Sequence, residues 1–322
     1  MKVFITGIAG FIGSHLADKL LSEGYEVWGC DTFEQYHPKY PSKLKRRNVS
    51  NNLNNPKYKL IEGDFSEEEV TKIITTTAFD YVIHLAAHAG VRPSLDDPEK
   101  YYQNNLIKSL SLLRALENSP YRWRTKLIFA SSSSVYGGVK VFPWEENMNV
   151  SKPLSPYAGS KKALEEICYT YHKLTDIPML GLRFFTVYGP RQRPDMAIAK
   201  FTKAIDEGTP IRLYGSQGQT FRDYTYISDI IEGIFCCMSD VKGFEIFNIG
   251  RGEPVELHEM VAEIGMHMFK IPNCEEMEVQ AGEPEKTQAS ISKIKERYDY
   301  SPEVPYQEGI KRYVDWYQKS KN

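Results

Sequence analysis

Apolar positions in the first half of the chain follow two alternating rhythms. Short runs at Val3-Phe4-Ile5-Thr6, Glu26 to Cys30, Tyr58 to Ile61, Tyr81 to Leu85, Lys126 to Ala130 and Met179 to Phe185 have the length and β-rich content of strands. Between them the spacing becomes helical. Ile12, Leu16, Leu20 and Leu21 mark one stripe from Phe11 onward, and residues 67–76, 98–117 and 156–174 read as further helices. Strands alternating with helices predict an α/β chain with a doubly wound parallel sheet, covered on both faces. Ligands of such sheets sit beyond the carboxyl ends of the strands.

The rhythm breaks twice. Residues 33–56 form a long irregular insertion, read as a solvated loop and short helix. Its Tyr36, Tyr40, Lys43, Lys45, Arg46 and Arg47 offer a flap over an anionic ligand as the sharper alternative. Beyond about residue 186 the turns Gly208-Thr-Pro, Gly215-Ser-Gln-Gly and Gly250-Arg-Gly predict a loop-rich lobe with shorter helices. The expected division is therefore a first domain over residues 1–185 and a smaller lobe over 186–322, interleaved with it.

Composition narrows the function classes. The 322 residues carry 40 basic and 42 acidic side chains, a net charge of −2, which gives no global attraction to nucleic acid or anionic membrane. No apolar run reaches spanning length, and Gly7, Gly10 and Gly13 break the apolar N-terminus too early for a signal peptide, so a soluble cytoplasmic protein is expected. Cys30, Cys168, Cys236, Cys237 and Cys274 contain no Cys-x-x-Cys pair and read as reduced thiols. His84, His88, His172 and His258 lack metal-ligand spacing, so no metal is assigned.

Three segments carry chemistry. Gly7-Ile-Ala-Gly10-Phe11-Ile12-Gly13 follows a predicted strand and opens a predicted helix, the context in which glycines let backbone approach a pyrophosphate at a helix N-terminus. Asp31, at the end of the second strand, can accept from a ribose 2′-OH and would repel a 2′-phosphate, which favours NAD over NADP. Asp64-Phe65 could bracket the adenine, and Ala86-Ala87 present small side chains after Leu85 where a dinucleotide would pass. Tyr157 and Lys161 stand one helical turn apart on a shared face, where an ammonium would lower the phenol's pKa and make it a base. The serine run Ser131-Ser132-Ser133-Ser134 lies one strand and loop upstream. A Tyr-x-x-x-Lys pair alone is common on amphipathic helices. Its order after the glycines and serines is what makes it informative.

Together with His84-Leu-Ala-Ala87, Asn105 and Val135-Tyr-Gly137, these residues resemble the extended short-chain dehydrogenase/reductase superfamily of nucleotide-sugar enzymes, over essentially the whole chain. Ala89-Gly-Val-Arg92 and the run from Gly181 to Met196 are similar to UDP-glucuronate 4-epimerases, and Phe221-Arg222-Asp223-Tyr224 to the superfamily's nucleotide-binding segment. The resemblance implies a Rossmann domain binding NAD and a UDP-sugar-binding lobe. It implies Tyr157 as base with Lys161 as its partner, and Ser132 as the hydroxyl on the sugar 4-OH. Phe11, Ile12, Leu85, Asn105 and Phe185 would shape the cofactor site. Arg222 would meet the UDP phosphates, and Glu283 the uridine ribose. A homodimer built on residues 98–117 and 156–174 is also implied.

Within that family the serine run discriminates. Dehydratases place Asp-Glu where Ser133-Ser134 stand, and decarboxylases carry Glu at Ser134. UDP-galactose epimerases have Arg at Gln280 and Asn at Thr186. Neutral hydroxyls leave a C4 ketone few fates except return of the hydride, so an epimerase is expected. Ser133, Ser134 and Thr186 could hold a uronate carboxylate, with Arg92 and Arg193 as candidate charges; Arg183, inside a strand, reads as structural. UDP-glucose or UDP-N-acetylhexosamine epimerisation, UDP-glucuronate decarboxylation and a non-catalytic dinucleotide sensor are the alternatives.

Overall fold

The computed structural model describes residues 1–35, 41–214, 220–277 and 284–321. Seven parallel strands form the central sheet: β1 (Lys2–Thr6), β2 (Glu26–Asp31), β3 (Tyr58–Glu62), β4 (Tyr81–His84), β5 (Lys126–Ser132), β6 (Met179–Phe184) and β10 (Phe244–Ile249). Their order is β10-β6-β5-β4-β1-β2-β3, so the chain reverses direction across the sheet between β1 and β4. A cleft between diverging connections is expected at that point. Val3, Phe4 and Ile5 of β1 are fully buried, which explains why apolar residues occupy both faces of the strand.

Helices α1 (Phe11–Ser22), α3 (Glu68–Thr76), α6 (Lys108–Glu117) and α7 (Pro156–Thr175) lie in the first half of the chain. The apolar core divides into one cluster around Ile5, Leu16, Leu20, Ile83 and Leu182 and another around Phe4, Val82, Leu112, Phe129 and Leu164. Ser155 caps α7, accepting from Ala158 N at 3.2 Å, and Pro156 supplies the first helical residue.

Three features differ from the sequence reading. The insertion contains α2 (Ser42–Val49), whose Lys45, Asn48 and Val49 are buried; Asn48 Nδ2 donates to Ala9 O at 3.0 Å, so this helix docks on the glycine turn rather than standing in solvent. Tyr36 and Tyr40 lie outside the described residues. The single helix predicted over 98–117 is α5 (Pro98–Tyr102), then a π-helical turn Gln103–Ile107, then α6, with α4 (Val91–Asp96) preceding. A one-residue insertion of this kind leaves the averaged apolar spacing nearly intact.

The second half holds more helix than its turns suggested: α8 (Ala197–Glu207), α9 (Ile227–Cys237), α10 (Leu257–Met268), α11 (Ser292–Tyr298) and α12 (Tyr306–Lys321). Buried stripes such as Met260, Val261 and Ile264 on α10 drive that packing. Small sheets β11-β9-β7 (Pro254–Glu256, Phe221–Tyr226, Thr186–Tyr188) and β12-β8 (Cys274–Met277, Ile211–Tyr214) complete the lobe. Among the described residues no helix is long and apolar enough to cross a membrane.

Candidate functional site

At the carboxyl ends of the central strands a cleft of about 540 Å³ runs from Asp31 to Arg222. Its floor begins at the glycine turn. Gly7 has φ +73°, and a side chain there would come within 2.9 Å of the Ala86 backbone; one at Gly13 would lie 2.3 Å from Gly7 O. Gly10 caps α1 without a side-chain hydrogen bond, and the first turn of the helix carries no acidic residue. The opening amides of α1 are therefore left for an anionic ligand. Phe11, Ile12, Leu85, Ala86, Ala87, Phe65 and Phe185 also face the cleft.

The adenosine end expected at Asp31 is more built than its sequence suggested. Asp31 accepts from Phe33 N at 2.9 Å, Ala9 N at 3.3 Å and Lys45 Nζ at 3.1 Å, all in buried surroundings. Lys45 sits fourteen residues away, so no local spacing announced it. Asp64 accepts from Ser66 N and Oγ and from Lys108 Nζ; burial pushes its carboxyl up, but these donors bring it net below its ordinary value.

Beneath the cleft a buried polar chain joins three elements. Ser109 Oγ donates to Asn105 O at 2.9 Å and so accepts from His84 Nε2 at 3.0 Å, leaving Nδ1 to accept from Thr6 Oγ1 at 2.7 Å. Burial holds His84 down at about 3, so the imidazole stays neutral. Asn105 is not itself in the cleft lining. Its side chain clamps His88 from behind, accepting from His88 N at 2.8 Å and donating to His88 O at 2.9 Å, and it donates to Ser160 of α7 at 3.1 Å.

Tyr157, Lys161 and Glu165 lie at successive turns of one face of α7, against the ends of β5 and β6. Tyr157 and Ser132 both line the cleft. Ser132 caps a short 3₁₀ turn, accepting from Ser134 N at 3.2 Å, and Ser134 Oγ donates to it at 3.0 Å. The expectation for the phenol's acidity is not met in this site. Burial raises the pKa of Tyr157, while Ser132 and the Arg193 charge act in the opposite direction; Lys161 is not what moves it. The ammonium of Lys161 is directed at Ala130 O, 2.8 Å away, and burial lowers its own pKa to about 8. Shared helix face did not specify which partner the amine would take.

Arg183 is structural, as its strand position implied. It makes a buried bidentate pair with Glu165, at 2.8 and 2.9 Å, to which Ser131 Oγ adds a third donor at 2.6 Å. Ser131 and Arg183 are register partners across β5 and β6, which is why one carboxylate reaches both. Arg193 lines the cleft, held by Asp195 through two bonds of 3.0 and 2.8 Å. Arg222 lines it too, its guanidinium donating to the Phe221 and Glu285 carbonyls. Its neighbour Asp223, fully buried, accepts from Arg251 N, Gly252 N and Ala289 N at 2.9 Å each and so ties three segments of the lobe together.

Ser133, Ser134 and Thr186 all line the cleft beside Tyr157. Arg92 does not; its guanidinium stacks over Tyr214, 4.9 Å from the ring centre. Glu283 and Gln280 lie outside the described residues. Among the described lining residues, the carboxylates are Asp31, which ends β2, and Glu34 and Asp64, which follow β2 and β3; those around Tyr157 and Ser132 are hydroxyls and Arg193. Among the described residues no His, Cys, Asp and Glu cluster could hold a metal ion.

Comparison with known proteins gives consistent results. The family profile described as GDP-mannose 4,6 dehydratase matches residues 4–313. The chain is 37% identical to a UDP-glucuronate 4-epimerase of Thermodesulfobacterium geofontis, over 97% of this chain and 94% of that one. Its fold superposes, with a TM-score of 0.91 and 35% identity over 99% of this chain and 100% of the other, on the UDP-glucuronic acid 4-epimerase of Bacillus cereus in complex with UDP-glucuronic acid and NAD. The UDP-glucose 4-epimerase of Thermus thermophilus, in complex with NAD, is 31% identical with a TM-score of 0.86, each chain covered to 99%.

Proposed function

The chain belongs to the extended short-chain dehydrogenase/reductase family of nucleotide-sugar enzymes, and on that premise we propose that it is an NAD-dependent 4-epimerase interconverting UDP-glucuronate and UDP-galacturonate through a transient 4-keto sugar. One observation carries the reading: a phenol and a serine hydroxyl meet at the sugar end of the cleft, with no carboxylate beside them among the described lining residues. Elimination of water from the sugar would need a second acid–base pair there.

The residues present fit NAD, with the glycine turn and open α1 terminus for the pyrophosphate and Asp31 for a ribose hydroxyl. Bound there, NAD would supply an acceptor for the C4 hydride of the sugar and the donor for its return. Tyr157 draws the proton from the 4-OH and later returns it. Ser132, which lines the same cleft, holds the same oxygen. Lys161 holds the nicotinamide ribose, and its charge is lost as pH rises through about 8. Arg222 binds the diphosphate, a pivot about which the keto sugar turns its other face before it is reduced.

A 4-keto uronate is a β-keto acid and loses carbon dioxide when its carboxylate stands perpendicular to the ketone. Ser133, Ser134 and Thr186 supply hydroxyls that restrain that carboxylate, with Arg193 as the nearby charge. A glutamate at Ser134 would instead bring a like charge toward it. Residues 1–185 are assigned to dinucleotide and catalysis and 186–322 to the UDP-sugar, although β10 returns to the sheet. A cytoplasmic homodimer completes the reading: exposed Tyr102, Ile107, Tyr169 and Leu174 lie on the segments assigned to the interface, and all five cysteines are free thiols.

The test is incubation of purified protein with UDP-glucuronate, without added cofactor, with products resolved by NMR beside parallel reactions of UDP-glucose and UDP-N-acetylglucosamine. UDP-galacturonate without pentose is expected. Turnover confined to the neutral sugars, or a UDP-pentose product, overturns the assignment.

A further inference from the structure

Asp223 does not line the cleft, yet it holds the elements that do. Successive residues of a strand face opposite ways, so on β9 Arg222 reaches the cleft while Asp223 turns inward and is fully buried. Its carboxylate meets a set of donors. Oδ1 accepts from Arg251 N at 2.9 Å and from Thr225 Oγ1 at 3.3 Å, and Oδ2 accepts from Gly252 N and Ala289 N at 2.9 Å each. Such surroundings demand two acceptor oxygens, which an ionised aspartate has and an asparagine lacks.

Residues 285–289 run as a strap alongside β9. Phe221 N donates to Glu285 O at 2.9 Å, Thr287 N donates to Phe221 O at 3.1 Å, and Asp223 N donates to Thr287 Oγ1 at 3.0 Å. At one end of the strap Glu285 O accepts from Arg222 Nη1 at 3.1 Å; at the other Ala289 N is fastened to the Asp223 carboxylate. Pro284 and Thr287 line the cleft beside Arg222. We infer that Asp223 is a positioning residue for the nucleotide: by fixing residues 285–289 and the 251–252 turn against β9, it aims the Arg222 guanidinium at the diphosphate. The inference rests on Arg222 meeting that diphosphate, and it can fail separately from that reading. A diphosphate far from the reacting carbon is held alike in ground and transition states, so the effect falls on binding and not on the chemical step.

The experiment is calorimetric titration of the holoenzyme with UDP, beside steady-state kinetics with UDP-glucuronate. Asp223→Asn sets an amide NH₂ among N–H donors. The Kd for UDP and the KM for UDP-glucuronate should each rise roughly tenfold, the scale of one lost hydrogen bond to a charged group. The kcat should stay within about twofold, and the Kd for NAD, whose glycine turn lies on other elements, should not move. A merely structural loss would instead shrink the active fraction, lowering kcat and leaving KM alone. Gly252→Ala disturbs the same strap from the turn, where φ is +81° and the new methyl would lie 3.2 Å from Ala289 O; it should also raise the Kd for UDP and spare NAD. In an Arg222→Ala background, Asp223→Asn should add little, because the group it aims is gone. An unchanged Kd for UDP in Asp223→Asn or Gly252→Ala, a fall in kcat at constant KM, or a full additional penalty in the double variant overturns the inference. Arg222→Ala binding UDP as tightly as wild type would instead sink the assignment of the diphosphate to Arg222.

Discussion

Glu165 joins the catalytic helix to the two strands that end at the site, and Glu165→Gln tests how much of the fold hangs on that joint. In the native protein its two oxygens receive Arg183 Nε and Nη2 and Ser131 Oγ, and both members of the pair are about 3% exposed. Glutamine keeps the shape and one acceptor but puts an amide NH₂ against a guanidinium, leaving a buried charge uncompensated. Breaking such a pair costs about 3–5 kcal/mol. For a chain of this length that corresponds to a melting temperature lower by roughly 4–7 °C.

The pH dependence has a definite sign. Burial pushes the Glu165 carboxyl up, but Arg183 and Ser131 hold it net below its ordinary value. Its stabilisation is therefore present above the unfolded carboxyl's value of about 4.3 and is lost as pH falls through the lower folded value. The gap between wild type and Glu165→Gln, followed by scanning calorimetry, should be wide at neutral pH and close toward acid. Glu165→Leu with Arg183→Met should recover most of the loss, since neither charge then lacks a partner. A single variant melting within about 1 °C of wild type, against the loss expected for a broken buried pair, refutes this reasoning, as does a double variant no more stable than the single.

Other consequences are equally concrete. In Gly13→Ala the new methyl meets Gly7 O at 2.3 Å, backbone on both sides, so stability should fall by about 1–3 kcal/mol and NAD affinity, by calorimetry, should fall with it. Lys161 is buried with its pKa lowered to about 8, so wild type should gain roughly 3 kcal/mol relative to Lys161→Met as pH rises from 8 toward the ordinary value of 10.5. A pH-independent difference in urea titrations would show that burial exacts no such cost. Asp31→Ser leaves Lys45 without its carboxylate, 3.1 Å away in the native protein. The preference for NAD over NADP, from measured Kd values, should then drop by roughly tenfold or more, and adding Lys45→Ala, which removes the cation that would attract a 2′-phosphate, should recover only part of it.

What could be read from the chain was local. The strand, glycine turn and helix at 2–22, the paired Tyr157 and Lys161, and the serines ending β5 are contiguous patterns, and the structure brings them to one cleft. What escaped depends on residues distant in sequence. Strand register sets Ser131 beside Arg183, where both reach Glu165 on α7, Lys45 reaches Asp31 from a helix inside the insertion, and Asp223 gathers amides from Arg251, Gly252 and Ala289. Side-chain direction was likewise invisible: four-residue spacing put Lys161 beside Tyr157 but could not show its amine turned to Ala130. Arg92 sits in a run similar to UDP-glucuronate 4-epimerases, and its guanidinium stacks on Tyr214.

The central claim is a closed exchange at C4, opened and closed by Tyr157, and isotope retention tests it most directly. UDP-glucuronate carrying deuterium at C4 should give, in ordinary water, UDP-galacturonate with the label kept at C4, and Tyr157→Phe should suppress that conversion while still binding NAD. Label lost to solvent, or undiminished epimerisation by Tyr157→Phe, would contradict the account.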